Sequence, residues 1–212
     1  MAIDKGNGPE GSMGNIVHYM LKGKKVMRLK PAHMTNPQTT AQTNHRTKII
    51  LSSRFVKAMN NFIKIGYQAT SLDYPSNEAR QYLMKNCFAI TEAGPLLEYH
   101  TVVLSRGEIR KPEETEMSIH DSSANVSWKK PVPGDYNDGS DKVMIAMFSE
   151  EGEFGTSWLL SNVALRMDGN AVLQIPVHTK PIHVWMFFHN ADKAVGESRK
   201  KVSDSVYLGE IE

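Results

Sequence analysis

The chain has 212 residues, 40% of them hydrophobic, with 25 Lys and Arg against 23 Asp and Glu. That length fits one large domain or two of roughly 100 residues each, and the lone Cys87 excludes an internal disulfide framework and any multi-cysteine zinc site. The near-neutral total hides an asymmetry: residues 1–64 carry eleven Lys and Arg against Asp4 and Glu10, and the remainder carries fourteen against twenty-one acids, which points to a polyanionic partner or to an acidic surface of this chain or a second copy.

The first residues, MAIDKGNGPEGSMGN, lack the apolar run of a Sec-type signal, and no stretch of eighteen apolar residues follows to insert into a membrane. The expectation is synthesis in the cytoplasm without a signal peptide, with a virion or extracellular location reached only after release. Gly6, Gly8, Pro9, Gly11 and Gly14 read as a flexible or extended arm. Ile16–Leu21 and Lys25–Lys30 alternate around Lys22-Gly23-Lys24, which predicts a β-hairpin. Two strands alone are marginal in water, so the hairpin must pack on the following helices or on another subunit.

Asn36-Pro37 offers an N-cap followed by proline at the first helical position. The helix is predicted from Pro37 to about Lys64, with Ile49, Phe55, Val56, Met59, Phe62 and Ile63 as its buried face and the polar turns Gln38–Arg46 facing solvent or a contact. A second helix is predicted from Ser76 or Asn77 to about Phe88, with Ala79, Tyr82, Leu83 and Phe88 on its apolar positions and Cys87 in the core. Gly94-Pro95 closes the helical region.

From Leu96 the texture becomes short strands between turns: Tyr99–Leu104, Ala124–Trp128, Lys142–Phe148, Ala171–Ile175, Ile182–Phe188 and Ser205–Leu208. Turn chemistry falls at Ser105-Arg106-Gly107, Pro133-Gly134, Asp138-Gly139 and Asp168-Gly169-Asn170. Lys111-Pro112 with Glu113, Glu114 and Glu116 reads as a solvated linker. The predicted class is α+β, an N-terminal β-hairpin with two helices (1–111) followed by an Ig/fibronectin-III-like antiparallel β-sandwich (112–212) with Trp128 inside.

The candidate chemical motifs do not assemble into a reaction centre. His178, His183 and His189 sit five and six residues apart, and opposite parities put His178 and His183 on different faces. The Asp135–Asp141 loop alternates oxygen ligands around Gly139 but lacks the closing bidentate glutamate of a calcium loop. Ser52, Ser53 and Ser105 show no activating neighbour, and no phosphate-cradling glycine loop is present. The expectation is no enzyme and no cofactor. The basic section remains, and Lys22, Lys24, Lys25, Arg28, Lys30 and Arg46 are the candidate residues for a protein partner or a polyanion. Nucleic acid would be held through phosphate contacts with steep salt dependence. A second copy would be held through the acids of the β-module, Glu150, Glu151, Glu153, Glu210 and Glu212.

Gly14-Asn15-Ile16-Val17, Lys22-Gly23-Lys24-Lys25-Val26-Met27-Arg28 and Asn36-Pro37-Gln38-Thr39-Thr40-Ala41-Gln42 with Arg46, then Tyr99 through Gly107, Trp128, Asp141-Lys142-Val143, Ile175-Pro176 and Val202-Ser203-Asp204-Ser205-Val206-Tyr207-Leu208-Gly209 occur in an order that resembles an uncharacterised family of Bacteroidota proteins, domain-of-unknown-function family 6266. The resemblance implies no known activity, catalytic residue or cofactor. The arrangement of a basic hairpin, a Pro-Xaa-Thr-Xaa-Xaa-Gln helix start and a β-module also resembles phage-type structural proteins. The leading expectation is a non-enzymatic structural or assembly protein of a phage-like particle or surface filament, self-associating or joined to another structural protein. The alternative is nucleic-acid binding through residues 1–64.

Overall fold

A computed structural model of the protein describes residues 3–4, 9–32, 38–68, 74–132, 140–190 and 202–212. The chain forms two compact units, Met1–Thr39 and Thr40–Glu212.

The first unit is a four-stranded antiparallel sheet of β1 (Ile3–Asp4), β2 (Pro9–Met13), β3 (Ile16–Leu21) and β4 (Lys24–Leu29), in that order. Of the stretch expected as an arm, Gly6 and Gly8 lie outside the described residues, and Pro9–Met13 is strand β2 of this sheet. Its turns set the register. Lys22 and Gly23 both take positive φ, 48° and 76°, the demand of a two-residue type I′ turn that matches strand twist, and so Leu21 lies opposite Lys24.

The second unit opens with α1 (Thr40–Ala58), α2 (Asn60–Gly66) and α3 (Pro75–Asn86). The expected cap Asn36-Pro37 lies outside the described residues, and the helix runs from Thr40. Where one helix was expected to Lys64 there are two, separated at Met59, and the apolar face continues across the break through Phe55, Val56, Met59, Phe62 and Ile63, all buried. Ile49, expected on that face, is 40% exposed, because the first half of α1 has no buried residue. Cys87 is buried as expected. Gly94-Pro95 does not end a helix but starts the second strand of a hairpin, β5 (Phe88–Thr91) and β6 (Gly94–Leu97).

The sandwich follows as β7 (Glu116–His120), β8 (Ser123–Ser127), β9 (Lys142–Ser149), β10 (Thr156–Leu165), β11 (Asn170–Gln174), β12 (Ile182–His189) and β13 (Val206–Ile211). One sheet has the order β11-β8-β7 and the other β10-β9-β12-β13, with every pairing antiparallel. This three-plus-four partition with strands exchanged between sheets is the Ig/fibronectin-like arrangement expected, and Trp128 is buried with its Nε1–H donating to the Arg166 carbonyl at 2.8 Å. Tyr99–Leu104 is not a strand; it is a 3₁₀ turn, Tyr99–Thr101, and an extended run. Nor do Glu113, Glu114 and Glu116 float in a linker: Glu113 meets Arg110 at 3.2 Å, Glu114 meets Lys129, and Glu116 begins β7. The Pro133-Gly134 and Asp138-Gly139 turns lie outside the described residues.

The central strands of the sandwich's four-stranded sheet, β9 and β12, are buried on both faces. In β9, Val143, Ile145 and Met147 point toward the three-stranded sheet with Val184, Met186 and Phe188 of β12, and there they join Ala124, Val126, Ala171 and Leu173. The intervening Met144, Ala146, Phe148, Trp185 and Phe187 form a second core with Phe55, Met59, Phe62 and Leu83 of the helices. Period-two geometry sends neighbours to opposite faces, so a strand apolar at every position is one covered twice. The boundary expected at 111/112 thus lies inside the second unit, where helices and sandwich share a core.

Candidate interaction surface

The register of the N-terminal sheet sorts its side chains into two faces. Met13 lies opposite Ile16, His18 opposite Met27 and Ile16 opposite Leu29, so Met13, Ile16, His18, Met20, Lys25, Met27 and Leu29 share one face. The other face carries Ser12, Val17, Tyr19, Leu21, Lys24, Val26 and Arg28. No residue from 11 to 32 is buried; Met27 is 69% and Leu29 74% exposed, and Met13, Ile16 and Met20 are exposed as well. Contiguous exposed apolar patches are a common feature of interaction sites in general.

The basic residues singled out from the sequence are dispersed. Lys22 sits in the turn, Lys24 and Arg28 on one face of β4, Lys25 on the other, and Lys30 just past the strand with its backbone N–H donating to the Asn15 carbonyl at 2.7 Å. Arg46 belongs to α1 in the second unit. β4 is an edge strand, and lysine on an edge is also a device that blocks uncontrolled pairing. One grouping is chemically specific. Tyr19 lies opposite Val26, with Lys24 and Arg28 as its diagonal neighbours on the same face.

The acids assigned to attraction are partly engaged inside their own unit. Glu150 accepts a hydrogen bond from the Tyr99 hydroxyl, and Glu151 accepts from the Thr179 backbone N–H and hydroxyl and from the Lys180 N–H. These bonds hold the Glu151 carboxyl below its ordinary range. Glu210 approaches His183 Nδ1 at 3.6 Å. Glu153 and Glu212 remain exposed.

The other motif residues hold the fold. Asp141 is buried, receives Arg166 at 3.3 Å and the Asn190 amide at 2.8 Å, and Arg166 lies over the Phe188 ring. Ser105 Oγ donates to the Ser203 carbonyl, the Leu104 N–H to Ser205 Oγ and the Gly107 N–H to Asp204. The Tyr99–Gly107 and Val202–Gly209 motifs are therefore two sides of one seam. His183 stacks on Tyr99 at 3.9 Å and contacts the Tyr207 hydroxyl at 2.9 Å, while His178 Nδ1 lies 2.8 Å from the Pro176 carbonyl. Among the described residues, no three His, Cys, Asp or Glu side chains group as metal ligands. No helix among the described residues is long and apolar enough to cross a membrane. A cleft of about 420 Å³ opens beside α1, lined by Arg54, Phe55, Tyr99, Glu150, Phe154 and Lys180 among others, with cations and acids mixed so that neither sign of ligand is favoured.

The apolar face of the first sheet was missed in the sequence, although Ile16, His18 and Met20 against Met27 and Leu29 carry its alternation. The cations drew attention first. A family model matches residues 8–209, and it describes a family of unknown function (DUF6266). No curated protein matches the chain.

Proposed function

The chain belongs to that family of unknown function, DUF6266, and on that premise we propose that it is a non-enzymatic assembly subunit whose N-terminal sheet docks on a second copy of the chain. The carrying observation is a four-stranded sheet with no buried residue from 11 to 32 and a face of Met13, Ile16, Met20, Met27 and Leu29 open to solvent. A single-layer sheet leaves its apolar face in water until a partner covers it, and apolar burial is the dominant gain in association. The cations of β4 supply steering toward an acidic partner. Because the docking sheet and its receiver are unlike surfaces, the contact generates rings or open filaments rather than two-fold dimers. A phage-like particle or a surface filament is the setting that such repetition serves.

The experiment is deletion of residues 1–30, read by light scattering. The full chain should form assemblies at concentrations where the deleted chain is a folded monomer. A full-length chain that stays monomeric at high concentration and low salt overturns the reading.

A second reading is favoured by Tyr19 on one face with Lys24 and Arg28, a platform on which a single-stranded nucleic acid base could stack while its phosphates meet the cations. Substituting Ala for Lys22, Lys24, Lys25 and Arg28 should then weaken binding and flatten its salt dependence, by a logarithmic slope of about 0.7 per lost phosphate contact on single strands. No measurable binding at low salt removes it.

A further inference from the structure

The four-stranded sheet of the second unit ends on β10, which pairs with β9 alone in the described structure. Its ten residues, TSWLLSNVAL, contain no ionisable group and no proline. Exposed edge strands are normally blunted by charge, proline, shortness or a bulge. The other edges of the sandwich follow the rule: β13 carries Glu210, β7 carries Glu116 and His120, and β11 is only five residues long. β10 has one such device, a register shift between Ser161 and Leu165, which leaves Thr156–Ser161 in regular pairing with β9. Leu159, Val163 and Leu165 are each more than a third exposed.

We infer that β10 is the acceptor edge for β4 of a second copy, adding the N-terminal sheet of one molecule to the four-stranded sheet of the next. This rests on the head-to-tail reading above and names its receiving surface. The lengths agree, since β4 has six residues and Thr156–Ser161 is six residues of regular edge. The charges choose the partner. Two β4 strands side by side would bring Lys24, Lys25 and Arg28 against their own kind, which is destabilising across a seam, whereas β10 brings no charge and Glu153 stands exposed three residues before it. Met27 and Leu29 gain apolar neighbours in Leu159 and Val163, and the outward backbone groups of both edges gain partners. Each molecule has one donor edge and one acceptor edge, so the sheet grows without closing on a two-fold axis.

The test uses the full chain. Cys87 is fully buried, so introduced thiols react alone. Met27→Cys and Leu159→Cys variants are mixed under assembling conditions and treated with a short bis-maleimide, which tolerates a shift of register. The mixture should give linked dimers several-fold above either variant by itself. Leu159→Cys linking to itself as well as it links to Met27→Cys overturns the inference in favour of β10 paired with β10, and assembly without any link in the mixture overturns it outright. Leu159→Lys with Val163→Lys, checked for native circular dichroism and melting, should reduce assembly to the level of the 1–30 deletion. Assembly persisting in that variant rejects the β10 edge while leaving the head-to-tail reading in place; absence of assembly in the unmodified chain rejects both.

Discussion

Cutting the chain at residue 112 separates the sandwich from the helices that cover the outer face of its four-stranded sheet. Fragment 112–212 would expose Met144, Ala146, Phe148, Trp185 and Phe187, each no more than 3% exposed in the whole chain. A buried aromatic side chain removes about 150–250 Å² from water, so the three aromatics alone account for roughly 600 Å² and about 15 kcal/mol at ~25 cal/mol per Å². That is an upper value, yet half of it equals the stability of an ordinary domain, about 5–15 kcal/mol. The cut also takes away the Val102 carbonyl that receives Trp185 Nε1–H at 3.1 Å, and the partners of Ser203 and Ser205. Urea unfolding followed by circular dichroism, with dye binding for exposed apolar surface, should show no cooperative transition and strong dye binding for 112–212. Fragment 40–212 should unfold in one cooperative step. A monomeric, dye-silent 112–212 with a sharp transition would refute the shared core and restore the boundary that the sequence suggested.

Gly107→Ala places a Cβ 2.0 Å from the Val202 carbonyl oxygen, and Gly66→Ala one 2.1 Å from that of Leu104; each should lower stability by about 1–3 kcal/mol, read as a shift in the urea midpoint. Asp141→Ala leaves Arg166 buried without its carboxylate, and a loss of about 3–5 kcal/mol is expected; a midpoint within error of the parent would show that the pair contributes nothing. Burial holds His183 below its ordinary value, so the unfolded chain binds the proton more readily, and stability is complete above about pH 6.5 and declines as pH falls below it. His183→Gln should flatten that part of the melting-temperature profile, and an unchanged slope would assign the acid sensitivity elsewhere.

Most sandwich strands were legible because turn residues bracket them, and β8, β9, β11 and β12 fall within a residue or two of their expected bounds. β10 escaped because its run of ten uncharged residues lacks period-two alternation, and β7 because Glu116 and its neighbouring acids read as solvated chain. The shared core was written in β9 and β12 as unbroken apolar runs, but an apolar strand names neither of the layers that cover it. Tyr99–Leu104 looked like a strand because β-branched and aromatic residues crowd it. Its backbone meets instead the Trp185 indole N–H at Val102, the Tyr67 hydroxyl at Val103 and the Ser205 hydroxyl at Leu104, pairings 36 to 101 residues apart that no local pattern encodes. In the candidate surface the cations were visible and the apolar face less so, since the face exists only once the register brings Met13, Ile16 and Leu29 together.

That seam between residues 104–109 and 202–205 has a consequence for synthesis. The helices emerge first from the ribosome, yet Phe55, Met59 and Phe62 have no sheet to lie on until β9 and β12 have followed, and the run holding Gly107 cannot be fastened until Val202 arrives. Contacts so distant along the chain cost loop-closure entropy before they return any energy. The nascent chain therefore travels most of its length with an apolar helical face unclaimed, a state in which unfinished copies adhere to one another. Its vulnerable period is the interval before residues 202–211 appear, and a stop codon placed just ahead of Val202 would prolong that interval indefinitely.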